Sequence, residues 1–309
     1  MTRRYWPLIL TLAALWGSSY FLIKVGVDGG FSPSALMASR ALLAALVLLG
    51  YLATSIGLAT AAREIRAAWR ACVVLGAINA AVPFWLVAWG ETRIDSGIAA
   101  IAQATVPLFS LLIGLHFLPQ EHISRLRIAG VGLGIVGVAL IAGVAPAGDL
   151  GEVVGTFAVI LASLFYASAG IYGQLRLRGT TSGPVLAMGN MLAAGLMLLP
   201  FAIVQHPTST PTEGAIGSLV VLAVLPTALA QLILFRTIAL FGARRLSLVT
   251  YLMPGIALFY GAVFLGESVT VAAVAGLVLI LLGVALGSGS LRPGRRVAIP
   301  PTAEPQGES

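Results

Sequence analysis

Ten apolar runs, each about as long as a membrane is thick, dominate this chain of 309 residues. A hydrocarbon core of about 30 Å is crossed by about 20 helical residues at a rise of about 1.5 Å each. The runs cover approximately residues 7–25, 34–53, 69–89, 97–117, 128–144, 154–172, 184–204, 216–235, 246–264 and 271–286. They predict an all-α integral membrane protein with ten transmembrane helices.

The composition excludes most other classes of protein. Hydrophobic residues make up 59% of the chain and charged residues only 9%, whereas a soluble domain has about 25% charged residues. The one cysteine, Cys72, permits neither an intrachain disulfide nor a Cys/His zinc site. There are no paired carboxylates, and of three histidines only His116 lies near a helix core. We therefore predict no enzyme, no cofactor and no metal.

Basic residues are distributed unevenly among the predicted loops. The formal charge is +7, and cytoplasmic loops of membrane proteins accumulate Lys and Arg. With a cytoplasmic amino terminus, fourteen arginines fall on the cytoplasmic side, and Arg93 alone falls among the opposite loops. This pattern predicts an inner (plasma) membrane protein with both termini cytoplasmic and no nucleic-acid partner. Residues 288–309, rich in Pro, Gly, Glu and Arg, predict a disordered cytoplasmic tail.

The two halves of the chain resemble each other. Pro107 matches Pro254 at an offset of 147 residues, and Glu121 matches Glu267 after one extra residue in the first copy. Residues 5–144 and 150–287 hold five helices each, an odd number, so the second copy crosses the membrane in the opposite sense. Such inverted repeats are typical of secondary transporters with alternating access to one central site, although some channels share them.

Three segments carry a family resemblance. They are the string LWGSSYFLIK from Leu15 to Lys24, Arg40 in the second helix, and YLMPGIALFYGAVFLGESVT from Tyr251 to Thr270. With these features the chain resembles the drug/metabolite transporter (DMT) superfamily, and within it the EamA-like ten-helix transporters, over roughly residues 5–287. The first copy departs from the pattern, because Pro119 and Gln120 precede Glu121. The resemblance implies an exporter of small organic metabolites such as amino acids or related compounds.

The repeat and the sparse polar interior favour a secondary transporter that acts by alternating access. A membrane channel, or a lipid scramblase-like protein without a defined solute site, is the alternative. The predicted partners are a small-molecule solute and the lipid bilayer, and a homodimer is left open.

Polar and aromatic side chains inside the bilayer are the candidate solute contacts, because polar groups there are costly and usually face the bundle interior. Two matched prolines, Pro107 and Pro254, are the candidate hinges. The candidate solute contacts are Trp16, Lys24, Arg40, Asn79, Trp85, Gln103, Tyr166, Asn190, Gln231 and Tyr251.

Each candidate also has a structural explanation. Lys24 can extend to the outer surface or pair with Asp28, and Arg40 can cap a carbonyl or reach headgroups. The amides can hold helices together, and the prolines can be packing kinks. All eleven carboxylates fall in loops, helix ends or the tail. We therefore predict facilitated movement or solute exchange, with proton antiport as the alternative.

Overall fold

The computed structural model describes residues 2–117, 125–141, 150–177, 182–205, 209–242 and 246–288, and within them it contains helices and no strands. The prediction of an all-α protein is confirmed for this part of the chain. In chain order the helices are α1 (Thr2–Asp28), α2 (Pro33–Ser55), α3 (Leu58–Ala67), α4 (Trp69–Leu75), α5 (Val82–Glu91), α6 (Ser96–Gln103), α7 (Val106–Phe117), α8 (Arg125–Ile141), α9 (Leu150–Arg176), α10 (Gly183–Val204), α11 (Glu213–Ala223), α12 (Ala230–Phe241), α13 (Ser247–Tyr260) and α14 (Val271–Ser288).

Eight helical stretches are long and apolar enough to cross a membrane. They are Tyr5–Asp28, Pro33–Ser55, Trp69–Glu91, Ser96–Gly114, Leu150–Arg176, Gly183–Val204, Glu213–Phe241 and Leu248–Leu265. Two shorter apolar helices, Ile128–Ile141 and Val271–Leu286, occupy the fifth and tenth predicted runs. A helical membrane protein is therefore confirmed. The acidic turn at Glu121 and the predicted tail beyond Ser288 lie outside the described residues.

Helix α3 is an addition to the predicted architecture. It has ten residues in a segment that the sequence indicates as a loop. Only Ala61 is buried, while Arg63 and Arg66 lie on its exposed surface or edge. Long apolar runs do not reveal this helix, because only a narrow face of it is apolar.

Glycines bring α8 and α14 into backbone contact. A Cβ added to Gly137 would lie 2.8 Å from the Gly276 carbonyl oxygen, and one added to Gly283 would lie 2.5 Å from that of Gly130. Small residues permit such close approach of membrane helices. Gly137 and Gly283 thus allow α8 and α14 to pack closely.

The third membrane helix of each half contains a π-helical segment. Gly76–Ala81 joins α4 to α5, and Val224–Leu229 joins α11 to α12. Pro226 cannot donate to the Leu222 carbonyl four residues earlier. The Thr227 hydroxyl donates to that carbonyl instead, at 2.6 Å. π-Helical turns often occur at functional sites, so these segments are of interest for the site.

The two predicted hinge prolines have different surroundings. The helix is interrupted at Ala104 and Thr105, and Pro107 lies in the first turn of α7, the next helix. Pro254, in contrast, lies inside α13, which continues without a break. The helix is therefore interrupted beside Pro107 but not beside Pro254, and the hinge roles stay predictions.

Candidate functional site

Arg40 is a buried cation whose contacts come from three elements. Its side chain projects from α2 and is 5% exposed. Its Nε donates to Thr227 Oγ1 at 2.8 Å, and its guanidinium carbon lies 4.0 Å from the centre of the Phe84 ring. Nη1 also contacts Met37 Sδ at 3.8 Å. Arg40 therefore does not reach headgroups in this structure but holds α2 against α5 and the π-helical segment that contains Thr227.

Two tyrosines and an amide lie close to Arg40. The buried Tyr20 on α1 interacts electrostatically with Tyr166, Glu91 and Arg40. The Gln103 side chain at the end of α6 forms a hydrogen bond with Tyr166 of α9. Gln103 Oε1 has no hydrogen-bond partner among the described residues, so an acceptor remains available beside the Tyr166 phenol.

Lys24 pairs with Asp28 near the carboxyl end of α1, as one of the two structural explanations expects. Its Nζ lies 3.4 Å from Asp28 Oδ1 and donates to the Glu91 backbone oxygen at 2.9 Å. The Lys24 side chain is 19% exposed and that of Asp28 is 58% exposed. Lys24 thus joins the carboxyl end of α1 to the carboxyl end of α5.

Glu91 is the functional candidate that the sequence reasoning missed. The third apolar run was predicted to end at Trp89, but α5 continues to Glu91, whose side chain is completely buried. The spacing does contain a signal. Phe84, Val87, Ala88 and Glu91 follow the i, i+3, i+4, i+7 pattern of one helix face, and all four are buried.

These side chains form what we call the polar cluster. Its members are Tyr20, Lys24, Arg40, Glu91, Gln103 and Tyr166. Two of its hydrogen bonds, Arg40 to Thr227 and Gln103 to Tyr166, join residues 5–144 to residues 150–287. The polar cluster therefore crosses the boundary between the two halves.

A cleft of about 410 Å³ opens near the polar cluster at the ends of α1, α5 and α10. Its lining includes Asp28, Trp89 and Thr92. The Trp89 ring stacks on Trp85 with centroids 6.0 Å apart, and Arg93 covers it at 3.6 Å. The remaining lining residues are Val27, Phe31, Ser32, Pro33 and Gln205.

The other predicted contacts are spread around the same interior. Trp16, Trp85 and Tyr251 are partly buried and pack against the central hydrophobic core, as Tyr166 does. Asn190 on α10 is buried, and its Oδ1 has no partner in the described part of the chain.

Two of the predicted amides, Asn79 and Gln231, are not members of the polar cluster. Asn79 in the π-helical segment Gly76–Ala81 and Gln231 on α12 are half-buried. No described hydrogen bond joins either residue, or Tyr251, to the polar cluster. Over the described ranges, no three His, Cys, Asp or Glu side chains converge as a metal site.

The fold and the buried polar cluster define a multi-pass membrane protein with a polar interior, and comparison with known proteins gives its class as a transporter. The chain belongs to the EamA-like transporter family, which matches residues 5–143 and 153–288. The resemblance to EamA-like members of the DMT superfamily is thereby confirmed.

Named relatives cover almost the whole chain. A probable terminal-alkyne amino-acid exporter of Streptantibioticus cattleyicolor is 30% identical over 288 residues, 93% of each protein. The uncharacterized inner membrane transporter YedA of Escherichia coli K12 is 28% identical over 296 residues, 94% of this chain and 86% of YedA. A solved crystal structure has the same fold, with a TM-score of 0.64, 19% identity and coverage of 92% of this chain and 96% of that one.

Proposed function

We propose that this protein is a secondary transporter that exports small organic metabolites, with amino acids or related compounds as its solutes. The observation that carries the proposal is the position of the polar cluster across the boundary between the halves. A carrier needs one central site whose two walls move relative to each other. The bonds from Arg40 to Thr227 and from Gln103 to Tyr166 connect such walls.

Matching helix contacts support the arrangement as two inverted five-helix repeats. If the halves are exchanged, α1 corresponds to α9, α2 to α10 and α8 to α14. Accordingly α2 packs on α10 and α8 on α14, while α1 contacts α13 just as α9 contacts α7. The π-helical segments also occupy corresponding third helices. This pseudo-twofold pattern is what alternating access between inverted repeats requires.

The charges of the polar cluster support a zwitterionic solute. Arg40 offers a cation for a carboxylate, and Glu91, once it has released its proton, offers a carboxylate for an ammonium group. The Streptantibioticus relative is named for an amino acid, which agrees with that chemistry. We therefore place amino acids first among the solutes to be tested.

Solute exchange in proteoliposomes tests the proposal. Vesicles that contain the purified protein are loaded with an unlabelled amino acid, and entry of the same labelled compound is measured for the twenty standard amino acids and propargylglycine. We expect exchange of at least one of them. Gln103→Leu should abolish this exchange, whereas Gln174→Leu, at an exposed position on α9, should leave it intact.

The same vesicles distinguish the alternative classes. A channel predicts ionic current in a planar bilayer without saturable exchange, and a scramblase predicts movement of labelled lipid between leaflets. Either activity in the absence of amino-acid exchange contradicts the proposed function.

A further inference from the structure

The Glu91 carboxyl group is buried where an ionised acid is expensive. The side chain has no exposed surface, and neither Oε1 nor Oε2 has a hydrogen-bond partner among the described residues. An ionised carboxylate without hydrogen bonds is strongly disfavoured in an apolar interior, and such a group takes up a proton instead. Ionisable side chains within membrane helices are therefore candidates for proton transfer.

Two cations lie near Glu91, but each is held by other groups. The Lys24 ammonium contacts the Asp28 carboxylate and the Glu91 backbone oxygen, not the Glu91 side chain. The Arg40 guanidinium donates to Thr227 and covers a phenyl ring. Both cations interact electrostatically with Glu91 at longer range. The positive charges of Lys24 and Arg40 thus help Glu91 to ionise. Neither cation forms a direct ion pair with the Glu91 side chain among the described contacts, so the carboxyl group can also bind a proton.

The charged and titratable groups around Glu91 project from several elements near α5. Tyr20, Lys24 and Asp28 project from α1, and Arg40 projects from α2. On α9, Tyr166 interacts with Tyr20 and Arg40. Glu267, which follows the π-helical segment Gly261–Leu265, also acts on Glu91, and Asp95 precedes α6.

The helix end that carries Glu91 borders the cleft. Asp28 and Thr92, the residue that follows Glu91, both line this cleft, which the predicted topology places on the outer side of the membrane. Lys24 lies between Asp28 and the end of α5, and its side chain is partly exposed. Lys24 therefore connects the helix end that carries Glu91 with Asp28 in the lining of the cleft.

We propose that Glu91 is the proton-binding site of the transport cycle. In the conformation described here the carboxyl group holds a proton taken from the outer cleft. When the halves rearrange and the polar cluster opens to the cytoplasm, the O–H bond breaks, the proton passes to cytoplasmic water and the carboxylate remains. Solute export is thereby exchanged for proton entry.

This inference rests on the proposed function for its solute, and it replaces the expectation from sequence that no buried carboxyl is available. The sequence placed Glu91 in a loop beyond the third apolar run, whereas Glu91 is the buried last residue of α5.

A spectroscopic titration tests the proton site without any solute. Infrared difference spectra of the reconstituted protein are recorded between acidic and alkaline pH for wild type, Glu91→Gln and Glu213→Gln. Glu213 is exposed at the start of α11, so its variant is the matched control. We expect a protonated-carboxyl band in wild type and Glu213→Gln that Glu91→Gln lacks. Identical bands in all three proteins overturn the proposal.

Coupling is tested in the same vesicles with the amino acid that exchanges fastest. An inward-acidic or outward-acidic pH gradient is imposed at fixed membrane potential, and accumulation against the solute gradient is compared with solute exchange. Wild type should accumulate solute on the acidic side only when the gradient is present, and Glu91→Gln should lose this accumulation. Glu91→Asp, which keeps a carboxyl group, should retain it.

The outcomes separate the two proposals. Exchange without gradient-driven accumulation in wild type refutes the role of Glu91 but leaves the transporter intact. If no amino acid exchanges, the proposed solute class fails, while the infrared titration still decides whether Glu91 binds the proton.

Discussion

The Arg40 guanidinium donates through Nε to Thr227 Oγ1 at 2.8 Å, and the same hydroxyl donates to the Leu222 carbonyl at 2.6 Å. Thr227 therefore forms hydrogen bonds with two groups. One is the buried Arg40 cation of the first half, and the other is the Leu222 carbonyl of the second half, to which Pro226 cannot donate. The bond joins the halves at the polar cluster, so its loss should affect both stability and transport.

The Thr227→Val variant removes this hydroxyl at almost constant volume. We expect the free energy of unfolding to fall by about 1 to 3 kcal/mol, because a buried cation and a buried carbonyl each lose a partner. Thr237→Val is the matched control, since Thr237 is equally buried but donates only to Ile233 within its own helix. Equal losses in the two variants, measured by denaturant titration in detergent, would contradict the special role of Thr227.

Glycine substitutions on one helix test the contact of α8 with α14. Gly137→Ala should destabilise the protein by about 1 to 3 kcal/mol, because its Cβ would lie 2.8 Å from the Gly276 carbonyl oxygen and 3.0 Å from the Ile280 backbone nitrogen. Gly132→Ala has nothing within 4 Å of the new Cβ and should be neutral or slightly stabilising. Thermal unfolding of both purified variants measures the difference, and similar unfolding temperatures would refute the close contact.

The extent to which the sequence predicts this structure differs between scaffold and site. The apolar runs predict the helices well, since crossing a bilayer demands length and hydropathy that are readable locally. Helix α3 and the extension of α5 to Glu91 escape such a search, because they depend on which face is buried by neighbours. The glycines of α8 and α14 are visible in the sequence, but their contact with each other depends on the packing of distant helices.

The site shows the same limit. Arg40, Gln103 and Tyr166 are recognisable as polar groups within apolar runs, whereas their partners are set by contacts between distant helices. The hydrogen bond of Arg40 to Thr227 spans 187 residues, and no local pattern specifies it. The π-helical turns that position Thr227 and Asn79 likewise follow from nearby prolines together with packing.

Acid stability should respond to Asp95, which precedes α6 outside the membrane-spanning stretches. Partial burial and the nearby Glu267 carboxylate raise the pKa of Asp95 above its ordinary value of 3.8. The folded protein thus binds this proton more tightly than the unfolded chain, so stability decreases as pH rises from about 3.8 through the raised pKa. Because Asp95 is exposed to water, the effect should stay below about 1 kcal/mol.

The Asp95→Asn variant removes this titration. It should be slightly more stable than wild type at neutral pH and equal to it at low pH, in unfolding curves recorded at several pH values. Greater stabilisation of the variant at acid than at neutral pH would show that the sign is wrong.

Cysteine labelling in intact cells tests the orientation. With Cys72, which is buried, replaced by alanine, a cysteine at the exposed Glu213 should react with an impermeant reagent added outside. A cysteine at Arg63, exposed on α3, should react only after permeabilisation. The reverse pattern would place the termini outside and would also reverse the direction assigned to the cleft.

The most direct test of the account asks whether the polar cluster is reached from both sides in turn. Ser163 is suited to this because it is fully buried, lies one turn before Tyr166 on α9 and donates to Val159, and because Ser163→Cys is nearly isosteric. In a Cys72→Ala background, an impermeant thiol reagent is applied to right-side-out and to inside-out vesicles, with and without the exchanged amino acid. The account predicts labelling from either side and a solute-dependent change in its rate on both. Labelling from one side only, with no response to solute, would contradict alternating access at this site.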